Sequence, residues 1–313
     1  QREVSRVTGK EISLEDIRLG WYKAECAAIT LVSATDGNHG RSLAWGCQRF
    51  GAPCQIYIHA EVSEGRAQAM RDLGAEVIRI TGDYDESVAL AKSEAEKNGW
   101  FVVSDTSWPG YSQPPRDVMA GYGVMTDEIC KTLDRAPTHV FLQGGVGGLA
   151  AGVIAGLCQY WKADAPRVVI VEPEMAACLF ESAKTGKATR VAIAEETLMA
   201  GLSCGEPSEL AWDILAEEAS DFLTIPESIV APAVRLLARP IGGDPTVEAG
   251  ESAIAGLAAL IAARQDKGLS KKLGLDASSR VLLIGSEGVT DPAIFKMIME
   301  GPSVPISVRQ LTG

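Results

Sequence analysis

The sequence predicts an α/β fold of two domains, each with a mainly parallel sheet flanked by helices. Three observations carry this expectation. From residue 29 onward, short β-rich runs alternate with helical stretches, the beat of βαβ units whose crossovers make neighbouring strands parallel. A Pro- and Gly-containing loop, TSWPGYSQPPRD (106–117), interrupts the strands, and a second set follows it. At 313 residues the chain also exceeds what one small core organises.

In chain order, residues 1–28 read as a polar helical segment. The start, QREVSRVTGKEISLEDIR, mixes charges and has no apolar run, so no signal peptide is expected there. A smaller α/β domain follows over 29–118. Its strand candidates are ITLVSA (29–34), CQIYIH (54–59), EVIRIT (76–81) and WFVVSD (100–105), bounded by turn residues. RSLAWGCQRFG, SEGRAQAMRDLG and DESVALAKSEAEKNG carry apolar residues at helical spacing between them. The larger domain, 119–313, has strands at THVFLQ (138–143), RVVIVEP (167–173) and RVLLIGSEG (280–288), with a helical and loop-rich stretch over about 174–279. LAAGVIAGL (149–157) and AIAGLAALIAA (253–263) are too short to cross a bilayer and read as buried helices.

Charge narrows the partners. Lys and Arg total 29 against 41 Asp and Glu, a net charge of −12, which repels a phosphate backbone or an anionic membrane. A small molecule is the expected partner, with no nucleic acid and no membrane. The seven cysteines are dispersed, with no CxxC pair and no metal-site spacing. That pattern points to a reducing compartment, the cytoplasm, and to no metal. Cys178 and Cys204 remain open as a pair.

Two loops carry candidate chemistry. QGGVGGLAAG (143–152) follows the strand THVFLQ and opens a helix. Its four glycines turn the backbone tightly and present N–H groups at a helix N-terminus, which makes a phosphate cradle. Gly145, Gly147 and Ala150 fit a GxGxxA dinucleotide pattern, with Glu172 at the end of the next strand as a ribose-binding acid, and that reading predicts NAD. A mononucleotide-sized phosphate such as that of pyridoxal phosphate fits the loop equally, and a turn serving only close packing is the third reading. The second loop, ATDGNHG (34–40), also lies between a strand and a helix.

The GNHG of that second loop resembles the asparagine loop of the fold-type II pyridoxal-phosphate enzymes, the family of serine and threonine dehydratases and the tryptophan synthase β chain. The resemblance implies pyridoxal 5'-phosphate as cofactor and decides between the readings of the glycine loop. It places Asn38 at the cofactor's 3-oxygen and Thr35, Gly37 and His39 around the substrate carboxylate, an arrangement suited to an αL-tolerant turn that aims successive N–H groups at one anion. Gly144, Gly145, Val146, Gly147 and Gly148 become the phosphate loop. Ser286, in LLIGSEG, becomes the hydroxyl against the pyridine nitrogen, and a neutral hydroxyl there tempers the ring's electron demand and favours elimination over transamination.

Within that family the dehydratases carry serine where this chain has Asp36. With DTSWPGY (105–111), TLMAGLSCGEP (197–207), GGDPTVEAGES (242–252) and SEGVTD (286–291) in order, the chain resembles the diaminopropionate ammonia-lyase family. That resemblance implies α,β-elimination of 2,3-diaminopropionate to pyruvate and ammonia. It also implies Asp36 as the base for the D isomer, Asp105 as a second carboxylate that orients or protonates the departing amine, and a homodimer. Each residue has a plainer role available. Asp36 suits a helix cap near Arg41, Asp105 a cap before Pro109, His39 a structural histidine and Ser286 an ordinary strand end. The resemblance further implies a Schiff-base lysine upstream of the asparagine loop, in a Ser/Asn-Phe-Lys type motif. Only Lys10 and Lys23 precede the loop, and neither has those neighbours. These residues are therefore not expected to anchor the cofactor covalently. Residues 1–28 read as the remnant of a helix or insertion after that lysine, with exposed apolar surface expected. A fragment of a longer chain and a truncated noncatalytic relative both remain open, as does the NAD-dependent oxidoreductase that Glu172 and GxGxxA alone support.

Overall fold

A computed structural model describes residues 1–35, 37–82 and 84–302, with the backbone alone for Asp85. The chain divides into two compact units, Gln1–Ser104 and the residues from Asp105 onward.

The first unit opens with three short helices, α1 (Arg2–Thr8), α2 (Leu14–Arg18) and α3 (Lys23–Ala27). They close over a small apolar cluster of Val4, Ile12, Ile17 and Cys26, against which Tyr22, Ile29 and Phe50 pack. The βαβ units follow as β1 (Leu31–Ala34), α4 (Asn38–Phe50), β2 (Cys54–Ile58), α5 (Glu64–Arg71), β3 (Glu76–Arg79), α6 (Tyr84–Asn98) and β4 (Phe101–Val102). Every strand pair is parallel and the order is β3-β2-β1-β4. Because successive side chains alternate across a sheet, Ile56 and Ile58 face the cluster built by α4 and α5, while Tyr57 and Val32 meet Ala91 and Ala95 of α6. Local signals set the helix ends: the Ser63 side chain accepts the Arg66 N–H at the start of α5, and Gly51 ends α4 at φ 76°.

The second unit contains α7 (Gln113–Thr132), β5 (His139–Gln143), α8 (Gly148–Trp161), β6 (Arg167–Pro173), α9 (Cys178–Thr185), α10 (Glu209–Glu218), β7 (Asp221–Ile225), α11 (Val230–Ala238), α12 (Ala255–Gln265), α13 (Lys267–Leu273), β8 (Val281–Leu283) and α14 (Pro292–Glu300). Its four parallel strands run in the order β7-β6-β5-β8. Val140, Leu142, Val168 and Ile170 pack under α8 and α10, and Phe141, Val169 and Val171 under α11 and α12. Helices α7 and α8 pack very closely. A Cβ on Gly152 would lie 2.6 Å from Met119 O, and one on Gly156 would lie 2.6 Å from Thr126 Cγ2. The small residues of this apolar helix therefore serve close helix packing.

The sequence boundary near residue 118 and the break in contacts after Ser104 differ by one loop. The Ser107 side chain explains where that loop goes: its Oγ lies 2.9 Å from Ser208 Oγ and accepts the Leu210 N–H at 2.8 Å. Strand β7, within the stretch expected to be helix and loop, is an edge strand of the second sheet. No described helix is long and apolar enough to cross a membrane.

Candidate functional site

Both sheets have the same strand order, and in each the chain leaves the first strand toward one side and returns for the fourth on the other. Such a switch point opens a crevice at the carboxyl ends of the first and fourth strands. The candidate residues fall there. ATDGNHG follows β1, and Ser104 and Asp105 follow β4. The glycine loop follows β5, and Ser286 follows β8.

In the first unit, helix α4 begins at Asn38, earlier than Arg41. Gly37 is its N-cap at φ 173°, which is extended backbone, and no side chain among the described residues caps it. The αL turn expected at GNHG is therefore replaced by the first turn of a 13-residue helix. Successive N–H groups still converge, because that turn has no intrahelical acceptors for them. Thr35, 7% exposed, accepts the Gly37 N–H on its Oγ1 at 3.4 Å. A Cβ on Gly40 would meet Thr35 Cγ2 at 2.5 Å and Met70 Sδ at 2.6 Å, so close packing of α4 requires that glycine. The Nε2 of the His39 ring is engaged at 2.9 Å with Val103 O, which joins the loops after β1 and β4. Asp36 lies outside the described residues. The buried Arg66 side chain lies beside Gly37, where a Cβ would meet its Cδ at 3.6 Å, and nothing in the motif announced it. Lys23 opens α3 and is exposed.

In the second unit, Gly144, Gly145, Gly147 and Gly148 are buried and Val146 is half-buried. Gly147 caps α8 at φ 94° and Gly145 sits at φ 65°, conformations that favour glycine. Behind the loop there is no room: a Cβ on Gly144 would meet Glu172 Cγ at 2.6 Å, and one on Gly147 would meet Leu215 Cδ1 at 3.0 Å. No side chain among the described residues caps α8, so the N–H groups of its first turn are left for an anion.

Glu172 is not the ribose ligand that the dinucleotide reading needs. It is 1% exposed, and its carboxylate accepts the Leu179 N–H at 3.0 Å and the Phe180 N–H at 2.7 Å, capping α9. Burial pushes its pKa up to about 7 despite those bonds. Cys178 donates its thiol to Gly145 O and to Glu172 Oε1, and both Cys178 and Cys204 are free thiols.

Ser286 is exposed and accepts a 2.7 Å hydrogen bond from Gln143 Nε2. Asp105 accepts from Thr106 Oγ1 at 3.4 Å. Its charge, together with burial as the larger cause, pushes the Tyr122 phenol up to about 12. WPGY is a tight turn with Gly110 at φ 83° and the rings of Trp108 and Tyr111 stacked 4.0 Å apart. Ser208 holds this segment and the glycine loop together, since its Oγ accepts the Ser107 N–H and its own N–H donates to Val146 O. Glu287 ties three of the sequence motifs: its carboxylate accepts the Ser252 N–H at 2.9 Å, and Ser252 Oγ accepts the Gly201 N–H at 3.1 Å. Asp291, at the end of SEGVTD, caps α14.

This second unit fits pyridoxal phosphate. The uncapped glycine-lined helix start suits a phosphate, and Ser286 supplies a hydroxyl at the same end of the sheet. The Gln143 Oε1 is buried there without a partner among the described residues, a state that costs about 1–3 kcal/mol in a dry core and suits a polar site.

The family described as "Pyridoxal-phosphate dependent enzyme" matches residues 13–287. The chain belongs to that family. It is 38% identical over 277 residues to a diaminopropionate ammonia-lyase of Escherichia coli strain K12, covering 87% of this chain and 70% of the relative. A diaminopropionate ammonia-lyase of Salmonella typhimurium is 36% identical over 287 residues, covering 88% of this chain and 71% of the relative. Among solved structures, the Escherichia coli lyase in complex with D-serine is 35% identical with a TM-score of 0.86, over 96% of this chain and 76% of the other. Pyridoxal phosphate is thus the family's cofactor, and the two parallel sheets are the fold-type II arrangement. The NAD reading is not favoured on either ground. Sequence reasoning missed Gln143, Ser208, Tyr122 and Glu287. Gln143 alone left a signal, as the polar residue that ends the strand candidate THVFLQ at the start of the glycine loop.

Proposed function

We propose that this chain catalyses the α,β-elimination of 2,3-diaminopropionate to pyruvate, with both amino groups leaving as ammonia and one water consumed. The observation that carries the reading is the 277-residue match to diaminopropionate ammonia-lyases, beside a family match over residues 13–287 that spans both loops and the motifs tied by Glu287.

When bound, pyridoxal phosphate supplies an electron sink for the pair left as the α proton departs. The chain's own residues do the rest. The first turn of α8, with Gly144 to Gly148, would hold the phosphate, Ser286 would meet the ring nitrogen and Asn38 the 3-oxygen. The first turn of α4, with the Thr35 hydroxyl, Gly37 and the His39 N–H, would hold the substrate carboxylate. Asp36 takes the α proton from the D isomer. Asp105 orients or protonates the departing amine, and Tyr122, its pKa raised to about 12, adds no charge beside it. Cytoplasmic residence is supported by the seven free thiols, and a homodimer by the exposed Leu14, Leu19, Trp21 and Trp45.

The test is turnover. Protein supplied with pyridoxal phosphate should release pyruvate from D- and L-2,3-diaminopropionate, read by a coupled lactate dehydrogenase assay. Asp36→Asn should lower turnover of the D isomer by about 100-fold or more and that of the L isomer far less. Equal losses on the two isomers would remove Asp36 from the role, and no pyruvate from either would remove the activity.

A further inference from the structure

We propose that Tyr122 is a substrate-contacting residue whose hydroxyl, together with the Asp105 carboxylate, forms the subsite that receives the departing β-amino group. The inference deepens the elimination proposed above and rests on Asp105 as its second carboxylate.

Helix α8 places the two residues. Gly148 and Gly152 stand one turn apart on one of its faces. A Cβ on Gly148 would lie 3.7 Å from Asp105 O, and one on Gly152 would lie 3.2 Å from Tyr122 Cβ. Met119 of α7 bridges both positions, its Cγ 3.8 Å from the first and its backbone oxygen 2.6 Å from the second. Four residues of helix rise about 6 Å, a length that a tyrosine side chain spans, so the Tyr122 hydroxyl can reach the neighbourhood of Asp105. Their electrostatic coupling agrees: burial first, and the Asp105 charge second, push the phenol up to about 12. Both residues are half-buried. Asp105 accepts a long 3.4 Å bond from Thr106 Oγ1. The hydrogen bond made at Tyr122 uses its backbone oxygen, which accepts from Thr126 Oγ1 at 3.1 Å, and among the described residues the hydroxyl is left for a ligand.

The pairing suits an ammonium group. The carboxylate supplies one negative charge, and the neutral phenol oxygen supplies a further acceptor without a second charge, so the subsite balances the single positive charge of the amino group. When the bond from the β carbon to nitrogen breaks, its electron pair leaves with the nitrogen. That nitrogen departs as ammonia only if it entered as ammonium, and acceptors facing it favour the charged form. The pair left by the α proton becomes the new carbon–carbon double bond.

Chloride leaves without a proton, so β-chloroalanine is the discriminating substrate. Tyr122→Phe removes one oxygen and keeps the ring against α8, with circular dichroism to report folding. It should lower kcat on D- and L-2,3-diaminopropionate alike by about tenfold and leave β-chloroalanine within about twofold of the parent. Equal losses on the ammonium and chloride substrates would make Tyr122 a packing residue and overturn the subsite. Asp105→Asn checks the underlying reading by the same comparison. If it spares β-chloroalanine while Tyr122→Phe does not, Asp105 keeps its role and the assignment of Tyr122 is overturned. If it harms both substrates equally, the reading of Asp105 fails and takes the inference with it. A second readout needs neither cofactor nor substrate. In protein carrying 3-fluorotyrosine, whose phenol ionises at lower pH than that of tyrosine, the ¹⁹F resonance that Tyr122→Phe removes belongs to position 122. Asp105→Asn should move its titration midpoint to lower pH, because the negative charge that disfavours the phenolate is gone. An unmoved midpoint would separate the two groups and overturn the subsite. A parent that releases pyruvate from none of these substrates removes the proposed elimination and the role of the subsite in it, while the fluorine signal still reads the pairing by itself.

Discussion

Burial against the first turn of α9 pushes the Glu172 carboxyl up to about 7, because its two backbone N–H bonds offset only part of the desolvation. A folded-state pKa above the unfolded value stabilises the fold below the unfolded pKa, here near 4.5, and that stability is lost as pH rises to about 7. The shift corresponds to about 3 kcal/mol. Glu172→Gln should abolish this slope, so the gap in unfolding free energy between parent and variant, measured in urea at pH 4.5 and pH 7.5, should change by about that amount. Glu172 is thus a sensor of its own helix cap rather than a ribose ligand, a distinction that no residue pattern carries. A second residue-scale prediction concerns Gly147. At φ 94°, with Leu215 Cδ1 3.0 Å and Ala211 Cβ 3.1 Å from a would-be Cβ, Gly147→Ala distorts the entry to α8. Left-handed strain of about 1–2 kcal/mol corresponds to roughly tenfold weaker binding of pyridoxal phosphate by equilibrium dialysis. Unchanged affinity would place the phosphate elsewhere.

At the scale of elements, the buried strands were the most legible part of the sequence. β5 and β6 are covered on both faces and read as unbroken apolar runs. β7 escaped because it is an edge strand whose first four residues are only half-buried, so DFLTI has neither a full apolar run nor a clean alternation. The start of α4 was placed three residues late because two glycines and an asparagine look like a turn; Gly40 is there for packing against Thr35 and Met70, not for a left-handed bend. Glycines can therefore be sorted by what surrounds them. Gly152→Ala puts a methyl 2.6 Å from Met119 O and should cost about 1–3 kcal/mol by forcing α7 and α8 apart. Gly121→Ala, within α7 and with nothing within 4 Å, should instead stabilise by about 0.5–1 kcal/mol. Chemical denaturation of both variants checks the contrast. Equal effects would show that α8 does not rest on α7 as tightly as these distances require.

On the scale of the whole molecule, the two units share one topology, and topology alone therefore assigns neither a ligand. What distinguishes them is the loop after the first strand of each sheet, and both loops could be read from sequence because each holds a compact run of unusual residues. The partners that finish the site, Gln143 with Ser286 and Ser107 with Ser208, are separated by 143 and 101 positions and join only through folding. The same contrast between local and global governs charge. The chain carries a net −12, and the glycine loop proposed to hold the phosphate, Gly144–Gly148, contains no lysine or arginine. A phosphate approaching this protein meets a repulsive mean field and an attractive short-range one, made of backbone N–H groups and a helix end. Salt screens charges separated by more than about 8–10 Å and leaves hydrogen-bond contacts almost untouched. Affinity for pyridoxal phosphate should accordingly hold or rise as sodium chloride increases from about 20 to 300 mM, the range across which the screening length shortens most. A site built on cationic side chains would weaken over the same titration. A fall of tenfold or more would mean that a basic side chain, with the buried Arg66 beside Gly37 as the first to replace, carries the anion instead of the start of α8.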